Sequence, residues 1–324
     1  VVDAMQVTTR SNPPLIVIVG PTAVGKSAVA MHLAGQYPVE VVNADARAFY
    51  RLMDIGTAKP SAGDRSRVLH HLIDILDPVD PMSLATFQDL TFDAIAGIHG
   101  RNHLPLLVGG TPQYVNAVVE NWSIPRVPPD SHFRATLERE VKEHGVAPLL
   151  DRLGTIDPVA AVRIGPNPRR IIRALEVFHA TGTPISELQG KRPPRYDTLE
   201  VELFLERDQL YKRIDRRVDS MIESGLIDEV RGLIAAGAPP DTPAFSAIGY
   251  RQLLPYLRGE VDRETVIDRI KFDTHRLVRN QQTWFRRNPR MLRVDAGAPD
   301  SAARVVDLVE KHSGDWLRSV GLRV

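Results

Sequence analysis

Over the first 120 residues, apolar and polar positions fall into short blocks that switch period. Residues 15–19 (LIVIV) are consecutive apolar side chains, mostly β-branched, closed by Gly20. A short run of this kind predicts a strand covered on both faces. From Lys26 to about Gln36 the apolar positions recur at helical spacing. VEVVNAD then predicts a second strand, ending at Asp45. SLATFQDLTFDAIAGIHG predicts a helix with Ser83 as its N-cap and Gly100 as its stop. LPLLVGGT reads as a further buried strand and glycine turn, followed by a helix from about Pro112 to Glu120. Strands and helices alternating in short units predict a parallel sheet flanked by helices.

The pattern changes near Asn121. NWSIPRVPPD is rich in proline, and beyond it the signals are helical only: 131–144, 146–153, 158–164 and 168–181. A second turn-rich stretch, GTPISELQGKRPPRYD, closes this block, and LEVELFLERD returns to a strand pattern. Helical stretches at 208–236 and 246–287 and a short strand at 290–294 follow. A helical block bracketed by proline-rich hinges predicts an inserted all-helical subdomain, 122–198, within a core made of 14–121 and 199–324.

Composition is that of an ordinary globular chain: 324 residues, 43% hydrophobic and 25% charged. No apolar run approaches the ~20 residues that span a bilayer, and the N-terminal stretch VVDAMQVTTRSNPP lacks the layout of a signal peptide. The absence of cysteine excludes disulfides and thiolate metal sites and fits a cytoplasmic protein. Net charge is +1, so the global balance makes no case for a nucleic-acid partner. Local runs do: Arg163 to Arg195 holds seven Lys/Arg against Glu176 and Glu187, and Arg269 to Arg293 holds eight against Asp273. Such stripes suit a phosphate backbone, and equally suit solvated helix faces.

Residues 20–27, Gly-Pro-Thr-Ala-Val-Gly-Lys-Ser, match G-x-x-x-x-G-K-[ST] between a predicted strand and a predicted helix. Glycines let backbone N–H groups turn inward around phosphate oxygens, and the helix N-terminus adds partial positive charge. Lys26 then neutralises an outer phosphate, and the Ser27 hydroxyl suits Mg²⁺. A diphosphate or longer chain is expected on Gly20, Pro21, Thr22, Ala23, Val24, Gly25, Lys26 and Ser27. The motif leaves two chemistries open: attack on a bound phosphoryl group, as in a kinase or NTPase, or departure of an intact diphosphate. Asp45, at the carboxyl end of the second strand, stands where open α/β sheets gather ligands. Its spacing fits an acceptor-binding acid, a Mg²⁺ contact, a general base or a turn cap.

GPTAVGKS, NAD…YRLMDIGTAKP, HHLIDILDP, LLVGGTPQYVNAVV, RRIIRALEVFHATGTPIS and AIGYRQLLPYL occur in this order. The set, running from about Pro14 to Arg293, resembles the bacterial tRNA dimethylallyltransferases, or isopentenyl-diphosphate:tRNA transferases. The resemblance implies transfer of a dimethylallyl group from its diphosphate to the exocyclic amine of the adenosine 3′ of a tRNA anticodon. A free-adenylate prenyltransferase shares the phosphate loop and the acid, but has less need of a basic helical insert. By resemblance Asp45 is the general base and Thr111 contacts the target adenosine or the bridging oxygen, while Lys26, the loop amides, Thr22 and Mg²⁺ stabilise the leaving group. Arg217, four residues from Arg213 on one helix face, is the expected second clamp on the diphosphate.

The same resemblance assigns tRNA contacts to Asp45, Ala46, Arg47, Ala48, Thr111, Arg134, Arg169, Arg170, Ile171, Ile172 and Arg173. It also leans toward a monomer. One departure stands out. The family pattern D-S-x-Q is replaced by Asp45-Ala-Arg-Ala48, which keeps the acid, removes a hydroxyl and an amide, and leaves Arg47 as the polar group available for base reading. His70 and His71 lack a third ligand at metal spacing and are expected to be structural. Trp122, Trp284 and Trp316 are expected as core or hinge anchors.

Overall fold

The computed structural model describes residues 12–321. The reading of the first eleven residues therefore lies outside the described part. Strand β1 (Pro14–Val19) is buried at all six positions. It is followed by α1 (Lys26–Ala34), β2 (Val39–Asn43), α2 (Ala62–Arg67), β3 (His70–His71), α3 (Leu84–Gly100), β4 (Leu104–Gly109) and α4 (Pro112–Val119). Ser83 caps α3 by accepting from the Thr86 N–H, as its position predicts.

Next come β5 (Trp122–Ser123), α5 (Ser131–His144), α6 (Ala147–Ile156), α7 (Pro158–Ile164), α8 (Pro168–Thr181), α9 (Ile185–Leu188) and β6 (Gly190–Lys191). The chain then returns through β7 (Asp197–Phe204), α10 (Arg207–Glu223), α11 (Leu226–Ala235), a 3₁₀ turn (Ala244–Ser246), α12 (Tyr250–Leu257), α13 (Arg263–Phe285), β8 (Leu292–Asp295) and α14 (Ser301–Ser319).

Two compact units result, Glu120–Pro194 and the remainder. The larger unit is built on a sheet of order β3-β2-β4-β1-β7-β8, parallel throughout. Side chains of β1 divide by parity: Ile16 and Ile18 enter one apolar cluster, with α1, α10, α11, α13 and α14. Leu15, Val17 and Val19 enter another, with α3 and α4. Both faces are thus covered by helices, which is why the strands read as continuous apolar runs. The smaller unit has its own core, including Leu137, Leu149, Leu153, Ile171, Ile172 and Leu175. Its helices are accompanied by one short antiparallel ladder, Trp122 to Lys191 and Ser123 to Gly190.

Three details differ from expectation. The smaller unit ends before residue 198, because Asp197 and Thr198 already pair with Pro14 and Leu15 of β1. The stretch 208–236 is two helices, broken where Gly225 takes φ 99°, and 246–287 is likewise divided, with Asp262 capping α13. Helix α14 was not expected at all. No helix among the described residues is long and apolar enough to cross a membrane.

Candidate active site

The phosphate loop leaves β1 with Gly20 at φ 149° and enters α1 through Gly25 at φ 114°, a region that favours glycine. At Gly20 a Cβ atom would stand 2.4 Å from the Leu203 carbonyl oxygen, so the loop can pass β7 only without a side chain. No side chain caps α1, which leaves its first turn fit for an anionic ligand. Lys26 folds back over the loop, its Nζ donating to the carbonyls of Gly20 and Pro21 at 2.9 Å each. Burial lowers the Lys26 ammonium to about 8, with Asp45 opposing that shift and Arg217 adding to it. Pro21 has no N–H to offer, and buried Val24 contributes its backbone: the Val24 carbonyl accepts from Arg213 Nη1 at 3.2 Å. Ser27 is exposed to the adjoining cavity.

Asp45 lies two residues beyond the end of β2, in a turn rather than on the strand. Its Oδ1 accepts from the Arg47 N–H at 2.9 Å, and its own N–H donates to Asn43 Oδ1 at 3.0 Å. These bonds fix the carboxylate locally while leaving it in the wall of two cavities. Thr111 follows β4. Its carbonyl accepts from the Tyr114 and Val115 N–H groups at the start of α4, while its hydroxyl accepts from the Ala46 N–H at 3.2 Å. The hydroxyl therefore ties the loop after β4 to the loop after β2.

The first cavity, about 490 Å³, is cationic: Lys26, Lys59, Arg213, Arg216 and Arg217 line it with Ser27 and Asp45. The second, about 540 Å³, is walled by Ile214, Val218, Met221, Ile248 and Trp284, with Arg47, Thr111 and Gln281 as polar groups. Thr22, Asp45, Thr57 and Arg217 line both. Burial pulls the Arg217 guanidinium below its usual range, and the Asp45 charge acts in the opposite sense. Among the described residues no group of three or more His, Cys, Asp or Glu side chains is set to hold a metal ion. One hydroxyl beside a phosphate cradle does fit Mg²⁺, which keeps water and takes phosphate oxygens alongside few protein ligands.

Some groups were not found from sequence. Buried Gln281 accepts from the Thr22 N–H at 3.1 Å and donates to the Gly110 carbonyl at 2.7 Å. Its partners lie 259 and 171 positions away, so no local spacing signals it. Lys59 is held by the Tyr50 carbonyl, Asp54 and Asp74. Trp284 packs on the core and also borders the second cavity, more than an anchor alone. His71 bonds Glu40 at 2.6 Å and is structural, as expected; His70 bonds the Val68 carbonyl but also lines the first cavity. Arg47, expected to read a base, lines the second cavity with Nη1 donating to the Pro243 carbonyl at 3.1 Å. Ala46 lines that cavity too, and Ala48 is buried at the edge of the first.

The smaller unit sorts the remaining expected contacts. Ile171 and Ile172, grouped with the tRNA contacts on resemblance, are core positions at 0% and 5% exposure, because the α8 helix turns them inward. Arg134 makes a bidentate pair with buried Glu176 at 2.7 and 2.8 Å, and Arg173 reaches the same carboxylate at 2.6 Å. Arg169 and Arg170 are exposed.

A parallel sheet with a glycine loop after its first strand, an acid after its second and clustered cations facing both is the layout of an α/β enzyme whose ligands gather at the carboxyl ends of its strands. Residues 48–288 match the family model described as IPP transferase, and the chain belongs to that family. The tRNA dimethylallyltransferase of Roseiflexus castenholzii is 50% identical over 299 residues, covering 92% of this chain and 98% of the relative. That of Chloroflexus aggregans is 52% identical over 278 residues, covering 86% and 94%. The crystal structure of the full-length tRNA isopentenylpyrophosphate transferase from Bacillus halodurans aligns with TM-score 0.68 at 41% identity, covering 94% and 99%. A eukaryotic dimethylallyltransferase described as acting on tRNA aligns with TM-score 0.80 at 26% identity, covering 96% and 81%.

Proposed function

We propose that this chain is a tRNA-modifying prenyltransferase that moves a dimethylallyl group from dimethylallyl diphosphate to the exocyclic N6 of the adenosine 3′ of the anticodon, releasing diphosphate. The observation that carries this reading is the meeting of a cationic cavity and an apolar one at Thr22, Asp45, Thr57 and Arg217. A kinase needs its acceptor at the outer phosphate. Here the acid faces a second chamber with apolar walls and a tryptophan, suited to a flat base. The diphosphate lies in the first cavity against Lys26, the loop amides, Arg213 and Arg217; the base enters the second, beside Thr111.

The amine nitrogen attacks the allylic carbon, the carbon–oxygen bond to diphosphate breaks, and the leaving group keeps the electron pair. Asp45 takes the amine proton as the bond forms, since an aromatic exocyclic amine is a poor nucleophile. Lys26, Arg217 and the start of α1 stabilise the charge growing on the departing oxygens. Ser27 would hold Mg²⁺ through its hydroxyl, and the ion would supply further neutralisation of the diphosphate. In the smaller unit, Arg169 and Arg170 are the exposed cations best suited to RNA phosphates. The protein is read as a cytoplasmic monomer.

The test is incubation with labelled dimethylallyl diphosphate, Mg²⁺ and either unmodified tRNA or AMP. Label is expected in the tRNA. Label in AMP alone assigns a free-nucleotide transferase instead, and label in neither overturns prenyl transfer.

A further inference from the structure

Gln281 stands on α13, far in sequence from both loops it joins. Its buried carboxamide links the phosphate loop at Thr22 to the loop carrying Thr111, through the Gly110 carbonyl. Both partners are backbone groups with fixed roles: an N–H only donates and a carbonyl only accepts. The side chain must therefore present an acceptor at one end and a donor at the other, which a carboxamide does at any pH and a carboxyl group of the same length does only when protonated. The packing agrees. A Cβ atom at Gly110 would stand 2.7 Å from Gln281 Nε2, so the glycine is what lets the amide reach the carbonyl. Thr22 lines both cavities, and Gly110, Thr111 and Gln281 line the second.

We propose that Gln281 is a positioning residue that locks the donor-side loop to the acceptor-side loop, so that filling the first cavity is felt in the second. This rests on the assignment of diphosphate to the first cavity and RNA to the second. The Thr22 N–H is committed to this bond, so the cradle holds the diphosphate through its other donors while Thr22 transmits the position of the loop. With the lock intact, a diphosphate that settles the loop also settles the Gly110–Thr111 turn against the Ala46 N–H. Two ligands that each order the same pair of loops then favour one another's binding.

The experiment compares wild type with Gln281→Met, which matches the length but bonds neither loop, and with Gln281→Glu, which can accept from Thr22 but turns an anion toward the Gly110 carbonyl. Affinity for an unmodified anticodon stem-loop RNA is measured with and without saturating inorganic diphosphate and Mg²⁺. Wild type is expected to bind the RNA roughly fivefold or more tightly when diphosphate is present. In both variants that factor falls to about one while each ligand alone binds within roughly threefold of wild type, so each KM, read with the other substrate saturating, rises by about the factor lost. A variant that retains the wild-type factor, or a wild type with none, overturns the proposal. So does a Gln281→Met protein whose losses are confined to thermal stability; should that variant fail to fold, Gln281→Glu decides by the same factor. A wild type that binds both ligands but transfers no prenyl group sinks the functional reading alone, since the coupling is read without turnover.

Discussion

At the scale of single residues, Asp45 and Lys26 carry the claims most easily put at risk. Asp45 serves two purposes: a carboxylate in the wall of both cavities, and an acceptor for the Arg47 N–H. Asparagine keeps the second and abolishes the first, so Asp45→Asn is a cleaner probe than alanine. Its turnover is expected to fall by roughly 10²–10⁴-fold with RNA affinity retained, measured by single-turnover transfer; near-normal rates would remove Asp45 as the base. Lys26, lowered by burial to about 8, is only partly charged in mildly alkaline buffer. An anion in the cradle favours the ammonium, so diphosphate binding takes up a proton near pH 8, and affinity declines as pH rises further. Calorimetry in two buffers of different ionisation enthalpy should show this uptake in wild type and not in Lys26→Met, a difference that cancels the ligand's own titration. Equal uptake in both proteins assigns the proton elsewhere. Residues such as these were legible because a contiguous motif places them. Gln281 was not, since its partners come from distant segments brought together only by the sheet.

At the scale of elements, periodicity showed which segments are helices and strands but not where long helical stretches break or how connections are pinned. The strap from Met53 to Pro60 illustrates this. Its sequence, with Gly56 and Pro60, reads as turns, yet Glu229 on α11 accepts the N–H groups of Asp54, Ile55 and Gly56 at 2.8, 2.8 and 3.2 Å. The same carboxylate accepts from the hydroxyl of fully buried Tyr250 on α12. Burial beside that carboxylate raises the phenol well beyond its ordinary range, so it remains a donor at any working pH. Helix, strap and helix therefore close on one half-buried carboxylate, and Thr57, next in the strap, lies where the two cavities meet. A Cβ atom at Gly56 would lie 2.4 Å from Tyr250 Cε2 and 2.8 Å from Leu226 Cδ1. The ring cannot retreat without leaving Glu229. Gly56→Ala should accordingly cost about 1–3 kcal/mol through overpacking, seen as a lower urea midpoint with unchanged slope. A variant as stable as wild type would show that the strap moves freely past the ring.

At the scale of the whole molecule, charge and domain structure have to be considered together. The proline-rich hinges made the division visible in the sequence, and the boundary slipped by a few residues because Asp197 and Thr198 are polar yet belong to the sheet. A net charge of +1 gave no hint of RNA, and the basic run 163–195 could not say which arginines face outward. In the smaller unit that sorting is done by Glu176: at 1% exposure it needs compensating charge, and Arg134 and Arg173 supply it from two sides. Those two arginines hold the unit together, which leaves Arg169 and Arg170 at the start of α8 as exposed charge. The two classes predict opposite failures. Reversing both exposed charges (Arg169→Glu with Arg170→Glu) should weaken stem-loop binding and flatten its dependence on log salt by about 1.5, since each released phosphate contact is worth a slope of roughly 0.7–0.9. Melting temperature should hardly change. Arg134→Ala should do the reverse, removing about 2 kcal/mol of stability by stripping a charge-assisted pair from a buried carboxylate, while the salt slope of the folded protein persists because Arg169 and Arg170 are intact. If the double reversal leaves the slope untouched, RNA reaches this protein by another face, and the exposed start of α8 is merely solvated.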